Sequence, residues 1–103
     1  MPKLTIIYWR DIPAQVIAKK GRTRYKQELA KRFAVAIDRA AMRAGRGSSD
    51  AYLEDWRRVS RVCDGDLEQE VSKEVARLEE LFPQDVLEIA IKASGKTAAA
   101  RDQ

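Results

Sequence analysis

Residues 5 to 22, TIIYWRDIPAQVIAKKGR, set two short apolar runs on either side of a Trp-Arg-Asp-Ile-Pro corner. From Lys3 to Arg10, Leu4, Ile6 and Tyr8 alternate with Thr5, Ile7 and Trp9, all residues that suit a pleated chain. From Gln15 to Lys20, Val16 and Ala18 fall on one side and Ile17 on the other. Asp11 and Pro13 favour a tight reversal between the runs, and a proline is tolerated at the start of a strand. The reading is a β-hairpin that is apolar on both faces. A lone hairpin is marginal in water, so helices must cover at least one face. The second face is either covered as well or meets something else.

The rest of the chain supplies the helices. Gly21 ends the second run, and Thr23 is placed to cap a long helix over 24–44. Tyr25, Leu29, Phe33, Ile37, Ala40 and Ala44 form one apolar stripe at three- and four-residue steps. Gly45 and Gly47 stop the helix. GRGSSD reads as a polar linker, with Ser48 or Ser49 capping a second helix that carries Tyr52, Leu53 and Trp56 on its inner edge. Val59 and Val62 suit either a helix end or a third short strand. Asp66 followed by Gln69 resembles a capping box, opening a third helix lined by Leu67, Val71, Val75, Leu78 and Phe82 and broken by Pro83. Residues 86–92 alternate like a strand, yet Val86/Ala90 and Leu87/Ile91 pair at four-residue spacing and Gly95 suits a stop, which favours a fourth helix. The fold class is α+β, an N-terminal β-hairpin packed against three to four α-helices, with the third strand left open. Residues 1–95 form a single domain and 96–103 a flexible tail.

Several chemistries are excluded by residue type. The chain has no histidine and one cysteine, which removes Ser-His and Cys-His pairs, His/Cys metal clusters and an internal disulfide. CDGDLEQE lacks the full alternating oxygen ligands of an EF-hand loop, leaving open only a carboxylate-held Mg²⁺ or Ca²⁺. AGRGSS lacks the lysine and the preceding strand of a P-loop. No cofactor and no catalytic residue is assigned. Cys63 reads as structural, Tyr8, Tyr25 and Tyr52 as core, and Glu79 and Glu80 as solvated surface. MPKLTIIYWRDIP does not have the form of a signal peptide, and no run reaches the length of a membrane span. A cytoplasmic protein with no membrane partner is expected.

Charge is divided along the chain. Residues 1–47 hold 12 Lys/Arg against 3 Asp/Glu, a balance of +9, and residues 48–103 hold 8 against 13, a balance of −5. Arg24, Lys31, Arg39, Arg43 and Arg46 fall around the side of the 24–44 helix opposite its apolar stripe. That basic face serves either as a solvated complement to the acidic third helix or as a nucleic-acid contact. The corner carries the other candidate site. Trp and Arg are frequent interface anchors, so Trp9 and Arg10, with Asp11 and Gln15, form either a structural corner or the centre of a protein-binding patch.

TIIYWRDIPAQVIAKKGR, followed by RFAVAIDRAAMRAG and DAYLEDWRR, resembles the bacterial domain family labelled virulence factor, which also occurs as a module of the larger conserved virulence factor C. The resemblance spans about Met1 to Arg58 and is most specific in the Tyr-Trp-Arg-Asp-Ile-Pro-Ala-Gln-Val string. The label names a phenotype, and no catalytic or ligand residues come with it. The resemblance implies a non-catalytic accessory or protein-interaction role. Its short members' association with corrinoid and folate methyl transfer implies a methyltransferase component as the partner.

Overall fold

The structure, a computed structural model, describes residues 2–45 and 49–96. Two tight reversals organise its first third. Strand β1 (Lys3–Trp9) turns through Arg10 and Asp11 into β2 (Ile12–Lys20), which turns through Gly21 and Arg22 into β3 (Thr23–Glu28). Arg10 at φ 54° and Gly21 at φ 59° supply the left-handed residue that two-residue hairpin loops need. The remaining strand, β4 (Trp56–Val62), pairs with the other edge of β1, so the sheet is antiparallel throughout in the order β3-β2-β1-β4. Around it lie α1 (Lys31–Arg43), α2 (Ser49–Glu54), α3 (Leu67–Leu81) and α4 (Gln84–Lys92). The α+β class is as expected. The open question of a third strand resolves in favour of 56–62, while 84–92 is helical.

The helix expected over 24–44 starts later than its spacing predicts. Thr23 pairs with Lys20, and Gln15 pairs with Glu28, so residues 23–28 are strand and Thr23 caps nothing. Without β3, the outer edge of β2 would present unpaired N–H and C=O groups. Thr23, Tyr25 and Gln27 also alternate with Arg24, Lys26 and Glu28, which serves a sheet as well as the Tyr25/Leu29 spacing serves a helix. Helix α1 then begins without a cap from its own side chains, and the Ala30 amide donates instead to Glu79 Oε2 of α3 at 2.8 Å. The third helix matches its sequence signal, with Asp66 Oδ2 accepting from the Gln69 amide. Arg46, Gly47, Ser48 and the tail from residue 97 lie outside the described residues.

The strand registers assign every side chain a face. Leu4 and Ile6 of β1, opposite Ala18 and Val16 of β2, are buried on the face against which α3 packs. Arg61 of β4 lies on the same face and reaches Glu74 of α3 at 3.2 Å, where Arg77 also holds the carboxylate. Glu74 is the buried charged residue of this layer, at 4 % exposure. Burial by itself raises its pKa, but the hydrogen bonds and charges of Arg77 and Arg61 outweigh that, and the carboxyl titrates below its ordinary range. Burial likewise pushes up the Tyr8 phenol, with Arg57 stacked over its ring at 4.5 Å pulling the other way.

The opposite face is divided in two. A register shift between Ile7 and Tyr8 places one extra residue, Ala14, in β2, and such a bulge re-aims the side chains around it. On the corner side of the shift, Trp9 and Ile12 form a pair and are fully buried. On the far side, Thr5, Ile7, Gln15 and Ile17 are only half-buried. The corner end is sealed by α2 and by the residues just past α4. Trp9 stacks on Tyr52, with centroids 6.0 Å apart, and its indole N–H donates to the Tyr52 carbonyl at 3.0 Å. Asp11 donates its amide to the Gly95 carbonyl at 2.8 Å, Arg10 donates its amide to Asp55 at 3.0 Å, and the Arg10 guanidinium reaches the Ser94 carbonyl at 2.8 Å.

Gly95 is the tightest point of this lock. It sits at φ +91°, and a Cβ there would lie 2.7 Å from Cζ3 of Trp9. Gly21 shares the left-handed conformation but faces open space. In urea denaturation, Gly21→Ala should cost about 1–2 kcal/mol from backbone conformation alone. Gly95→Ala should cost roughly 1–3 kcal/mol more, because a packed core must shift to admit the methyl. Equal costs would show that the contact with Trp9 is not limiting. For Glu74, whose folded pKa is depressed, the contribution is complete above the ordinary glutamate value of 4.5 and is lost as pH falls from there through the lower folded value. Glu74→Gln should therefore flatten the acid limb of stability against pH. It should lower neutral-pH stability by about 1–3 kcal/mol, the half-solvated arginines limiting the loss.

Candidate functional site

The corner residues proposed from sequence as a binding patch are placed differently from one another. Trp9 has no exposed surface, so it braces the corner from inside. The second β1 face is closed there because α2 and Gly95 occupy it. Arg10 is held by Asp55 at 3.3 Å, with its guanidinium 5.1 Å from the centre of the Trp9 ring. Asp11 is paired with Arg57 at 3.3 Å. Trp9, Arg10 and Asp11 thus belong to one structural lock. Gln15 stands apart from them, on the uncovered part of the sheet beyond the bulge.

The basic residues expected on one helix face are also dispersed. Arg24 is on β3, and Lys31 opens α1. Arg39 pairs with Glu88 of α4 at 3.0 Å, and Arg43 donates to the Lys92 carbonyl at 3.1 Å. Arg32 joins them by donating to the Glu79 carbonyl at 2.9 Å. The α1 arginines therefore fasten this helix to the acidic half of the chain, and no continuous basic stripe runs along it. Arg46 lies outside the described residues.

A different basic surface emerges from the sheet. On the uncovered face, the registers place Ile7 and Ile17 in the middle, with Thr5 and Gln15 beside them. Thr5 Oγ1 meets Ser60 Oγ across the β1–β4 pair at 2.8 Å. Around this centre the same alternation sets Lys3, Lys19, Arg24, Lys26 and Arg58, all exposed. The β2–β3 turn adds Lys20 and Arg22 at its tip. None of these seven cations forms an ion pair with a described residue. Glu28 is the only acidic residue in the four strands. The arginines that face the helices are engaged, and those that face outward are not. The readable signal in the sequence was the absence of any acid between Asp11 and Glu28. The helical interpretation of 24–44 scattered that signal over the wrong surface.

At its corner end this face runs into a cleft of about 490 Å³ between β2 and α1. Ala14 and Ala34 leave the space, Leu29, Ile37 and Trp56 give it apolar walls, and Glu28 and Lys31 stand at the rim. Gln15 also lines it, and its Oε1 is enclosed without a hydrogen-bond donor. Among the described residues no group of three or more His, Cys, Asp or Glu is arranged to hold a metal ion. No described helix is long and apolar enough to cross a membrane.

A family model described as Virulence factor matches residues 7–91, most of the chain. No curated protein and no solved structure gives a significant match.

The two surfaces predict opposite responses to substitution. Trp9→Ala should cost about 3–5 kcal/mol in chemical denaturation, as expected for a buried aromatic. The double change Arg24→Glu with Lys26→Glu should leave stability within about 1 kcal/mol, because each side chain is exposed and pairs with no described residue. A large loss in the double variant would mean that these cations hold the fold.

Proposed function

The chain belongs to the virulence factor family, and from that premise we propose that it is a non-catalytic interaction module whose open sheet face receives an acidic surface of another protein. The observation that carries this reading is the segregation of charge, with seven outward cations that pair with no described residue while the arginines that face the helices are engaged. The half-buried Ile7 and Ile17 within that ring suit the apolar core and polar rim of a protein interface. They suit nucleic acid less well. Phosphates gain nothing from isoleucine, and Thr5, Ile7, Gln15 and Ile17 offer no aromatic platform on which bases stack. A second copy of the same face is disfavoured as well, since it would set like charges opposite one another. The outward cations also steer encounter with an acidic partner and make its rate sensitive to salt.

The test is affinity capture from native cells with the full chain and with Lys20→Glu/Arg22→Glu/Lys26→Glu, followed by titration of the purified captured protein. A component of a corrinoid or folate methyl-transfer system, implied by the family resemblance, is the first candidate to titrate directly. An acidic protein that binds the wild-type chain, binds the triple variant at least tenfold more weakly and loses affinity with added salt supports the reading. Equal binding by the variant overturns it. So does retention that nuclease treatment abolishes, which would assign the face to nucleic acid.

A further inference from the structure

We propose that the cleft at the corner end of the open face is the seat of one aromatic side chain bearing a hydrogen-bond donor, a Trp or a Tyr, presented by the acidic partner. This rests on the reading of the open face given above and adds the identity of the residue that anchors it. The apolar walls from Leu29, Ile37 and Trp56 call for a large apolar body. Lys31 and Glu28 both line the cleft and carry opposite charges, so neither charge selects the occupant. The polar selection falls to Gln15, whose Oε1 is enclosed and lacks a donor. A buried carbonyl without a donor is costly to keep. Because Gln15 lines the cleft, an occupant that carries an N–H or O–H can bring the missing donor to that oxygen. An aliphatic or phenylalanine anchor would fill the walls and leave Gln15 unsatisfied, whereas Trp and Tyr combine the apolar body with the donor.

The occupant does not come from a second copy of this chain. Its two Trp, three Tyr and two Phe are all among the described residues. Every one of them is buried or half-buried in the fold. Central pockets filled by an aromatic anchor commonly carry most of the energy of a protein interface, and the cleft adjoins the apolar centre of the open face.

Titration of the full-length, isotope-labelled chain with N-acetyltryptophanamide tests this by NMR. Saturable shifts of the Gln15 side-chain amide and the Trp56 indole N–H are expected. Methylating the probe's indole nitrogen should weaken binding about fivefold, the worth of one hydrogen bond. Ala34→Trp, at an exposed helix position, should abolish the shifts while leaving the rest of the spectrum folded. Gln15→Leu should equalise the two probes. Absence of saturable shifts up to the solubility limit, or shifts that persist in Ala34→Trp, overturns the proposal. Equal binding of the two probes by the wild-type chain overturns the donor assignment and the proposal with it. The Lys20→Glu/Arg22→Glu/Lys26→Glu variant should bind the probe like the wild type. Failure of the cleft and failure of the basic face therefore give separate results.

Discussion

The closure of the Trp9 corner over Gly95 is the constraint on which the rest of the structure depends. Trp9 ends β1, and Gly95 lies just past α4, so their contact joins the first strand to the last described helix. The surrounding hydrogen bonds from Arg10 and Asp11 tie the same turn to Ser94, Gly95 and Asp55. A long-range contact of this kind sets the geometry of everything between its ends. It places α2 over Trp9 and brings β4 back along β1. It also seals one end of a sheet face whose other end stays open. The Tyr-Trp-Arg-Asp-Ile-Pro string that resembles the family so specifically is accounted for here by packing.

Arginine has two distinct uses in this protein. Toward the helices it acts as a connector. Arg32, Arg39 and Arg43 run from α1 to carbonyls or carboxylates of the α3–α4 layer, and Arg61 and Arg77 enclose Glu74 under the sheet. The planar, multi-donor guanidinium suits these partly buried roles. Toward solvent, Arg22, Arg24 and Arg58 join four lysines that form no ion pair with a described residue, on and beside the half-buried isoleucines. The formal net charge of +4 therefore understates the local field of the sheet, because positive charge is gathered on that face and acids on the helical half of the chain. The outward cations are concentrated where the helices leave the sheet bare, while exposed acids such as Asp64, Glu68, Glu80 and Asp85 lie along the α3–α4 half of the chain.

Much of the architecture was legible from local pattern. The alternation of 3–9 and 15–20, the Asp66 cap and the four-residue pairing in 86–91 each specify an element through near neighbours. The site was less legible. Trp9 reads either as a structural corner or as a binding patch because its strand is apolar on both sides, and only the contact with Gly95 and Tyr52 shows that side to be closed. Residues 24–28 read as helix because Tyr25, Leu29 and Phe33 share a helical spacing. The competing partner, the open edge of β2, is visible only once β2 exists. The bulge at Ala14, which separates the sealed and open parts of one face, has no signature beyond a proline nearby.

The sequence by itself determined the α+β class, the first hairpin, the third helix, the exclusion of histidine chemistry and the uneven charge along the chain. These follow from residue type and short-range spacing, which act within a few residues. The tertiary structure alone decided which apolar face is covered, which arginines are neutralised and where the free cations gather. Those outcomes depend on contacts between segments as distant as Trp9 and Gly95 or Ala30 and Glu79. Burial and ion pairing are properties of such contacts, and no local pattern carries them.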